Sequence, residues 1–267
     1  MIRWTVLVAD NMKGVRSMDI SKVNQYIRDV KLNKDKITSY DEYPFSLTAI
    51  KELDVLELHK AVTFIIGENG SGKSTLLEAI AVNYGFNPEG GTKNFKFSTN
   101  DTHSNLHKYI KLTKGIKIPE TGYFLRAESF YNVASNIDEL DSEGMGNRII
   151  NSYGGISLHE QSHGEAFFSI IMNRFSGRGL YILDEPEAAL SPSRQLAMIS
   201  RINELVKEGS QFIIATHSPI LMSYPDSVLY EISDKIEEKC YTETYHFNIT
   251  RSFLNNPEKY LRILLNE

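Results

Sequence analysis

Two clusters of residues have the types and spacing that phosphate chemistry needs. The first is Gly67-Glu68-Asn69-Gly70-Ser71-Gly72-Lys73-Ser74-Thr75. It fits G-x-x-x-x-G-K-[ST] at every fixed position. Glycines let the backbone curl until its N–H groups point at phosphate oxygens. A helix opening at the end of the loop adds its dipole. Lys73 is of the type that reaches β- and γ-phosphates, and the Ser74 hydroxyl is of the type that ligates Mg²⁺. The second cluster is Leu180-Tyr181-Ile182-Leu183-Asp184-Glu185-Pro186, an apolar run ending in two carboxylates. A phosphate loop needs a carboxylate on a neighbouring strand. Asp184 is placed to hold the cation through its shell, and Glu185 to orient or polarise an attacking water. Away from a glycine loop, the same Asp-Glu pair would read as a solvated strand end.

These groups need rigid elements to hold them. Ala61–Ile66 (AVTFII) reads as a buried strand. Thr75–Tyr84 is helix-periodic, with Leu76, Leu77, Ile80 and Ala81 on one face and Gly85 as a stop. Gly179–Leu183 and Phe212–Ala215 are further buried strands. Ser191 caps a helix with Pro192 at its first position, lined by Leu196, Ile199, Ile202 and Leu205 and ending at Gly209. Tyr26–Leu32 and Tyr123–Phe130 read as strands, and Glu165–Phe175 as an apolar helix. Val228–Ile232 and Tyr241–Phe247 read as an antiparallel pair, followed by a last helix over Thr250–Leu265. Between these lie a turn at Tyr40–Phe45, a long loop over Asn87–His107 and a mobile small lobe over Ile137–Tyr153. Apolar strands alternating with helices imply an α/β fold: a mostly parallel, doubly covered sheet with an antiparallel β portion. Residues 1–17 read either as an extension from an upstream start, since Met18 could equally begin the chain, or as carrying an ordinary strand at Arg3–Val8. Residues 18–267 read as a single domain, with a small lobe over about 127–165.

Composition narrows the class. Hydrophobic content of 41% and charged content of 24% are those of a soluble globular protein. No run approaches the roughly 20 apolar residues of a membrane helix, so no membrane insertion is expected. Met1–Ala9 lacks the pattern of a signal peptide. A single cysteine, Cys240, fits a reducing cytoplasm. A net charge of −5 argues against a dedicated nucleic-acid binder, though a local basic face is compatible with it.

Two further segments matter. Ala215-Thr216-His217-Ser218-Pro219 puts His217 just past a buried strand, where it reads as a satisfied loop residue or, beside a phosphate loop, as a donor to a γ-phosphate. Gln161-Ser162-His163-Gly164-Glu165 opens an apolar helix. Ser162 with Glu165 three residues on is a capping box, and a capped helix N-terminus is also an anion site.

In this order the segments resemble the ABC-type ATPases. Gly67–Thr75 looks like Walker A, Leu180–Glu185 like Walker B with its glutamate, and Glu187–Pro192 like the D-loop. His217 looks like the switch histidine, and Ser162 to Glu165 like the signature motif. The wording is similar to stand-alone bacterial ATPases of the AAA/ABC group over about Tyr26 to Leu261, which implies a complete length. It is more distantly similar to recombination-repair and chromosome-cohesion ATPases, whose long coiled coils have no counterpart here. The resemblance implies a P-loop NTPase head that binds ATP and Mg²⁺. It further implies hydrolysis at the interface of a head-to-tail homodimer that depends on ATP. Gly67, Asn69, Gly70, Ser71, Gly72, Lys73, Ser74 and Thr75 would hold nucleotide, and Ser162 and Gly164 would contact phosphate from the other protomer. Ser74 and Asp184 would hold metal, and Lys73, Glu185 and His217 would serve catalysis. Alternatives are a slow ATP-gated clamp on a DNA or effector-protein partner, in repair or phage defence, and the ATPase subunit of a transporter. The chain departs from the pattern at the Q-loop glutamine, where Arg126 or Glu128 stands, and in the signature, where Gln161 and His163 replace leucine and glycine. Tyr43 or Phe45 would be the aromatic that stacks on adenine.

Overall fold

The computed structural model describes residues 25–58, 60–93, 104–126, 130–143 and 148–266. Residues 1–17, including the expected strand at Arg3–Val8, lie outside these. In chain order the elements are β1 (Ile27–Leu32), α1 (Thr48–Lys51), β2 (Val55–Glu57), β3 (Val62–Gly67), α2 (Lys73–Tyr84), β4 (Ile110–Lys114), β5 (Thr121–Arg126) and α3 (Phe130–Glu143). They continue with α4 (His163–Ser169), β6 (Gly179–Asp184), α5 (Pro192–Lys207), β7 (Gln211–Ala215), α6 (Pro219–Met222), β8 (Val228–Ile232), β9 (Ile236–Glu238), α7 (Tyr245–Asn255) and α8 (Pro257–Leu265).

The main sheet has the order β5-β6-β7-β3-β8-β9 and is parallel except for β9. Its central strands β3, β6 and β7 are buried along their whole length. That is why they read as unbroken apolar runs: both faces are covered. Side chains alternate between two cores. Phe64, Ile66, Tyr181, Leu183 and Phe212 join Phe167 of α4 and Met198 and Ile202 of α5. Ile65, Leu180, Ile182 and Ile213 join Leu76 and Ile80 of α2. On its other side α2 meets Val30 and Ile110 of a second, antiparallel sheet of order β2-β1-β4. Each buried Leu, Ile or Phe contributes about 1.5–3 kcal/mol of transfer energy. With sheets on both sides, α2 buries Glu78 and Lys73 as well. Gln211 staples the layers: its Oε1 accepts from the N–H groups of Tyr26 and Ile27, each at 2.9 Å, and its Nε2 donates to the Ile27 carbonyl at 2.8 Å.

The α/β class stands, and several local expectations change. β6 does not neighbour β3, because β7 lies between them. β2 and β4 were not anticipated. Their sequences VLE and IKLTK are short or half charged, and pairing with β1 is what makes them strands. Of the strand expected to run to Phe130, Thr121–Arg126 is strand and Phe130 opens α3, while residues 127–129 lie outside the described residues. The lobe expected to be mobile contains regular structure: α3 runs to Glu143 and a 3₁₀ turn covers Ile149–Tyr153. Asp141 accepts the Ile150 N–H at 2.9 Å, and Val133, Ala134 and Ile137 are buried. Glu165–Phe175 divides into α4 and a π turn over Ile170–Arg174. Leu196 is 59% exposed, and α5 buries Gln195 and Met198 instead. Tyr241–Phe247 is no strand. β9 is the antiparallel partner of β8, and Thr244 caps α7. The single last helix becomes two, because Pro257 has no N–H to continue α7 and starts α8. Among the described residues, no helix is long and apolar enough to cross a membrane.

Candidate functional site

The C-terminal ends of β3, β6 and β7 deliver Gly67, Asp184 and the loop containing His217 to one edge of the sheet. This is where parallel α/β sheets bind ligands. Gly67 has φ of +152°, and a Cβ there would lie 2.5 Å from the Ile232 carbonyl oxygen, so only glycine lets the loop leave β3 this close to β8. Lys73 Nζ donates to the carbonyls of Gly67 and Glu68, both at 2.9 Å, which folds the amine back onto the loop. Burial lowers the Lys73 pKa, while Glu185, Asp184 and Glu187 oppose the shift. Ser74 Oγ donates to Asp184 Oδ1 at 2.9 Å. The helix start carries Ser74 to β6 because α2 packs across both β7 and β6. Hydroxyl plus buried carboxylate is an all-oxygen donor set, which suits a hard cation such as Mg²⁺. A cavity of about 250 Å³ over the loop is bordered by Asn69, Gly70, Gly72, Lys73, Ser74 and Thr75, with Tyr43 and Glu185 at its sides. Ser71 borders a neighbouring cavity of about 530 Å³, which also takes in Glu231 and His246.

Arg126 sits opposite Asp184 in the β5–β6 register. Its Nη1 donates to Glu78 Oε2 at 2.7 Å, and its Nε is 3.6 Å from Asp184 Oδ2. Glu78 in turn accepts the Ser104 N–H at 2.9 Å. Arg126 therefore neutralises a carboxylate inside α2 as well as facing Asp184. Glu128 lies outside the described residues. Arg126→Ala leaves Glu78 enclosed without its cation and should cost about 3 kcal/mol, the lower range for stripping one partner from a buried pair. Urea unfolding of the variant measures this, and a loss below about 0.5 kcal/mol would remove the structural role.

Glu185 has φ of +50°, a left-handed backbone that is uncommon outside glycine. Its N–H donates to the Ala215 carbonyl at 3.0 Å. His217 Nε2 lies 3.3 Å from Glu185 Oε1, while the His217 N–H donates to Glu187 Oε1. Behind this loop, Ser218 Oγ donates to Gln195 Oε1 at 2.6 Å, and Gln195 Nε2 donates to the Leu190 carbonyl at 2.9 Å. That buried amide ties the histidine loop to the turn after β6.

Ser162 and Gly164 do not border the cavity over the glycine loop. The capping box is formed: Ser162 N–H donates to Glu165 Oε2 at 3.1 Å, and Ser162 Oγ accepts from Glu165 N–H at 3.4 Å. The Ser162 bonds, with Arg194 nearby, hold the exposed Glu165 carboxyl below its ordinary range. Gly164 is needed for close approach, since a Cβ would meet the Ala189 carbonyl oxygen at 2.6 Å. Of the two candidate aromatics, Phe45 is a core residue packed edge-on to Tyr109 at 4.8 Å. Tyr43 is 64% exposed with its hydroxyl 3.5 Å from Thr75 Oγ1. Sequence reasoning missed Gln195, Glu78 and His246. None lies in a recognisable motif, and only the fold brings them to the site.

A family described as an AAA domain matches residues 44–149, and one described as an AAA ATPase domain matches residues 98–222. The ribose import ATP-binding protein RbsA of Bacillus cereus is 25% identical over 57% of this chain, and the chain spans 34% of that protein's length. The lipoprotein-releasing system ATP-binding protein LolD of Buchnera aphidicola is 28% identical over 74% of this chain and 91% of its own. Among solved structures, the SMC head domain from Thermotoga maritima is 16% identical with a TM-score of 0.42, covering 80% of this chain and 98% of that one. The cassette cbiO1 from Clostridium perfringens is 19% identical with a TM-score of 0.47, covering 87% and 96%. The chain is thus similar over part of its length to AAA ATPase domains and to ATP-binding proteins.

Proposed function

We propose that two copies of this chain bind ATP head to tail and hydrolyse it at composite sites, as a conformational switch in the cytoplasm. The observation that carries this proposal is the separation of parts. Lys73, Ser74, Asp184, Glu185 and His217 converge at the strand ends, whereas Ser162 and Gly164 border no part of the loop cavity in their own protomer. In a two-fold arrangement each signature would face the partner's loop. The loop amides and Lys73 hold phosphates, and Tyr43 lies against adenine. Ser74 and Asp184 hold Mg²⁺, which when bound offsets charge on the phosphates. Glu185 orients the water, and His217 donates to the γ-phosphate. Sedimentation of Glu185→Gln with Mg-ATP should give a dimer that ADP does not support. A monomer at high protein concentration and saturating nucleotide would overturn the composite site. The names of the relatives, an import protein and a lipoprotein-releasing protein, favour a second reading as the ATPase of a transporter. Co-purification with a membrane protein would select it.

A further inference from the structure

The C-terminal helix pair reaches the site through the first turn of α7. Thr244 is fully buried, and its Oγ1 accepts from the Phe247 N–H at 3.4 Å, capping α7. Glu231 of β8 accepts the Tyr245 N–H at 3.0 Å. These contacts fix the first turn of α7 and aim His246 at the switch loop. His246 Nε2 lies 3.1 Å from His217 Nδ1, with the rings 5.1 Å apart and inclined at 62°. The other His217 nitrogen, Nε2, faces the Glu185 carboxylate at 3.3 Å.

Of the two neutral tautomers of His217, one suits both neighbours. If His217 carried its proton on Nδ1 and donated to His246, a bare Nε2 lone pair would face a carboxylate. If His246 Nε2 donates instead, His217 Nδ1 accepts and the proton sits on Nε2, the nitrogen on the side of the Glu185 carboxylate. We infer that His246 is a positioning residue for His217, holding it in the Nε2–H tautomer that a donor to the γ-phosphate requires. Its role rests on the one proposed for His217. Burial, with His217 next and Lys73 adding, lowers the His246 pKa against the pull of Glu231 and Glu68. That favours a neutral ring with a single donor. Among the described residues His246 Nδ1 is enclosed without a hydrogen-bond partner, which also favours leaving it unprotonated.

The test uses the full chain. His246→Phe should lower kcat by about 10- to 100-fold with KM for Mg-ATP little changed, the usual scale for a group that orients an imidazole. His246→Gln, which keeps an N–H donor, should recover part of that loss. Long-range ¹⁵N–¹H spectra of the wild-type chain should show His217 protonated on Nε2, and His246→Phe should show a mixture of tautomers. A wild-type His217 protonated on Nδ1 overturns the inference, whether or not the variants fold. So does an unchanged kcat in His246→Phe when His217→Ala is slow. If His217→Ala itself keeps wild-type kcat, the role proposed for His217 fails instead.

Discussion

Glu185→Gln is expected to hold ATP as the wild-type chain does while turning over about 10²–10⁴-fold more slowly. The amide is nearly isosteric with the carboxylate. The left-handed backbone at this position and its N–H contact to Ala215 do not depend on the side-chain charge. Ser74, Asp184 and Lys73 are untouched, so nucleotide contacts persist. What disappears is the anionic oxygen that faces His217 at 3.3 Å and would orient the water. Phosphate release at saturating Mg-ATP, beside ATP affinity by calorimetry, separates the two effects. Turnover within a factor of two of wild type would take this role from Glu185.

Ser162→Arg and Lys73→Ala should each abolish turnover, for different reasons. Lys73 touches its own loop, and its loss removes the cation that would reach the phosphates. Ser162 is exposed at the start of α4 and would meet only the partner's nucleotide. Ser162→Arg should therefore keep monomeric ATP binding. At a hundred times Kd this stabilises the chain by about 2.7 kcal/mol, a thermal shift of a few degrees. Lys73→Ala should lose that shift. Mixed together, the two variants would form, under the proposed dimer, one site whose Lys73 and Ser162 are both intact, so activity should partly return. Wild-type turnover by Ser162→Arg alone would refute the composite site.

The glycine loop, the buried strands and the capping box were legible because each is local. Gly67 to Thr75 owes its conformation to its own glycines, and β3, β6 and β7 are apolar throughout because both faces of the sheet are covered. The Ser162–Glu165 box closes within four residues. Where context decides, sequence reading failed. β2 and β4 exist only through β1, and Tyr241–Phe247 turned from an expected strand into a cap because β9 already occupies the edge beside β8. Arg126 and Glu78 are 48 positions apart, and no periodicity links them. His246 lay in a segment read as sheet. By itself, the sequence determined that this chain has a glycine loop between a strand and a helix, a strand ending in two carboxylates and an α/β core, since backbone and side-chain preferences over a few residues suffice for these. Only the tertiary structure decided that β7 separates β3 from β6, that Phe45 is core while Tyr43 borders the loop, and that a histidine from α7 meets His217. Those contacts join distant segments, and the packing of whole layers brings them together.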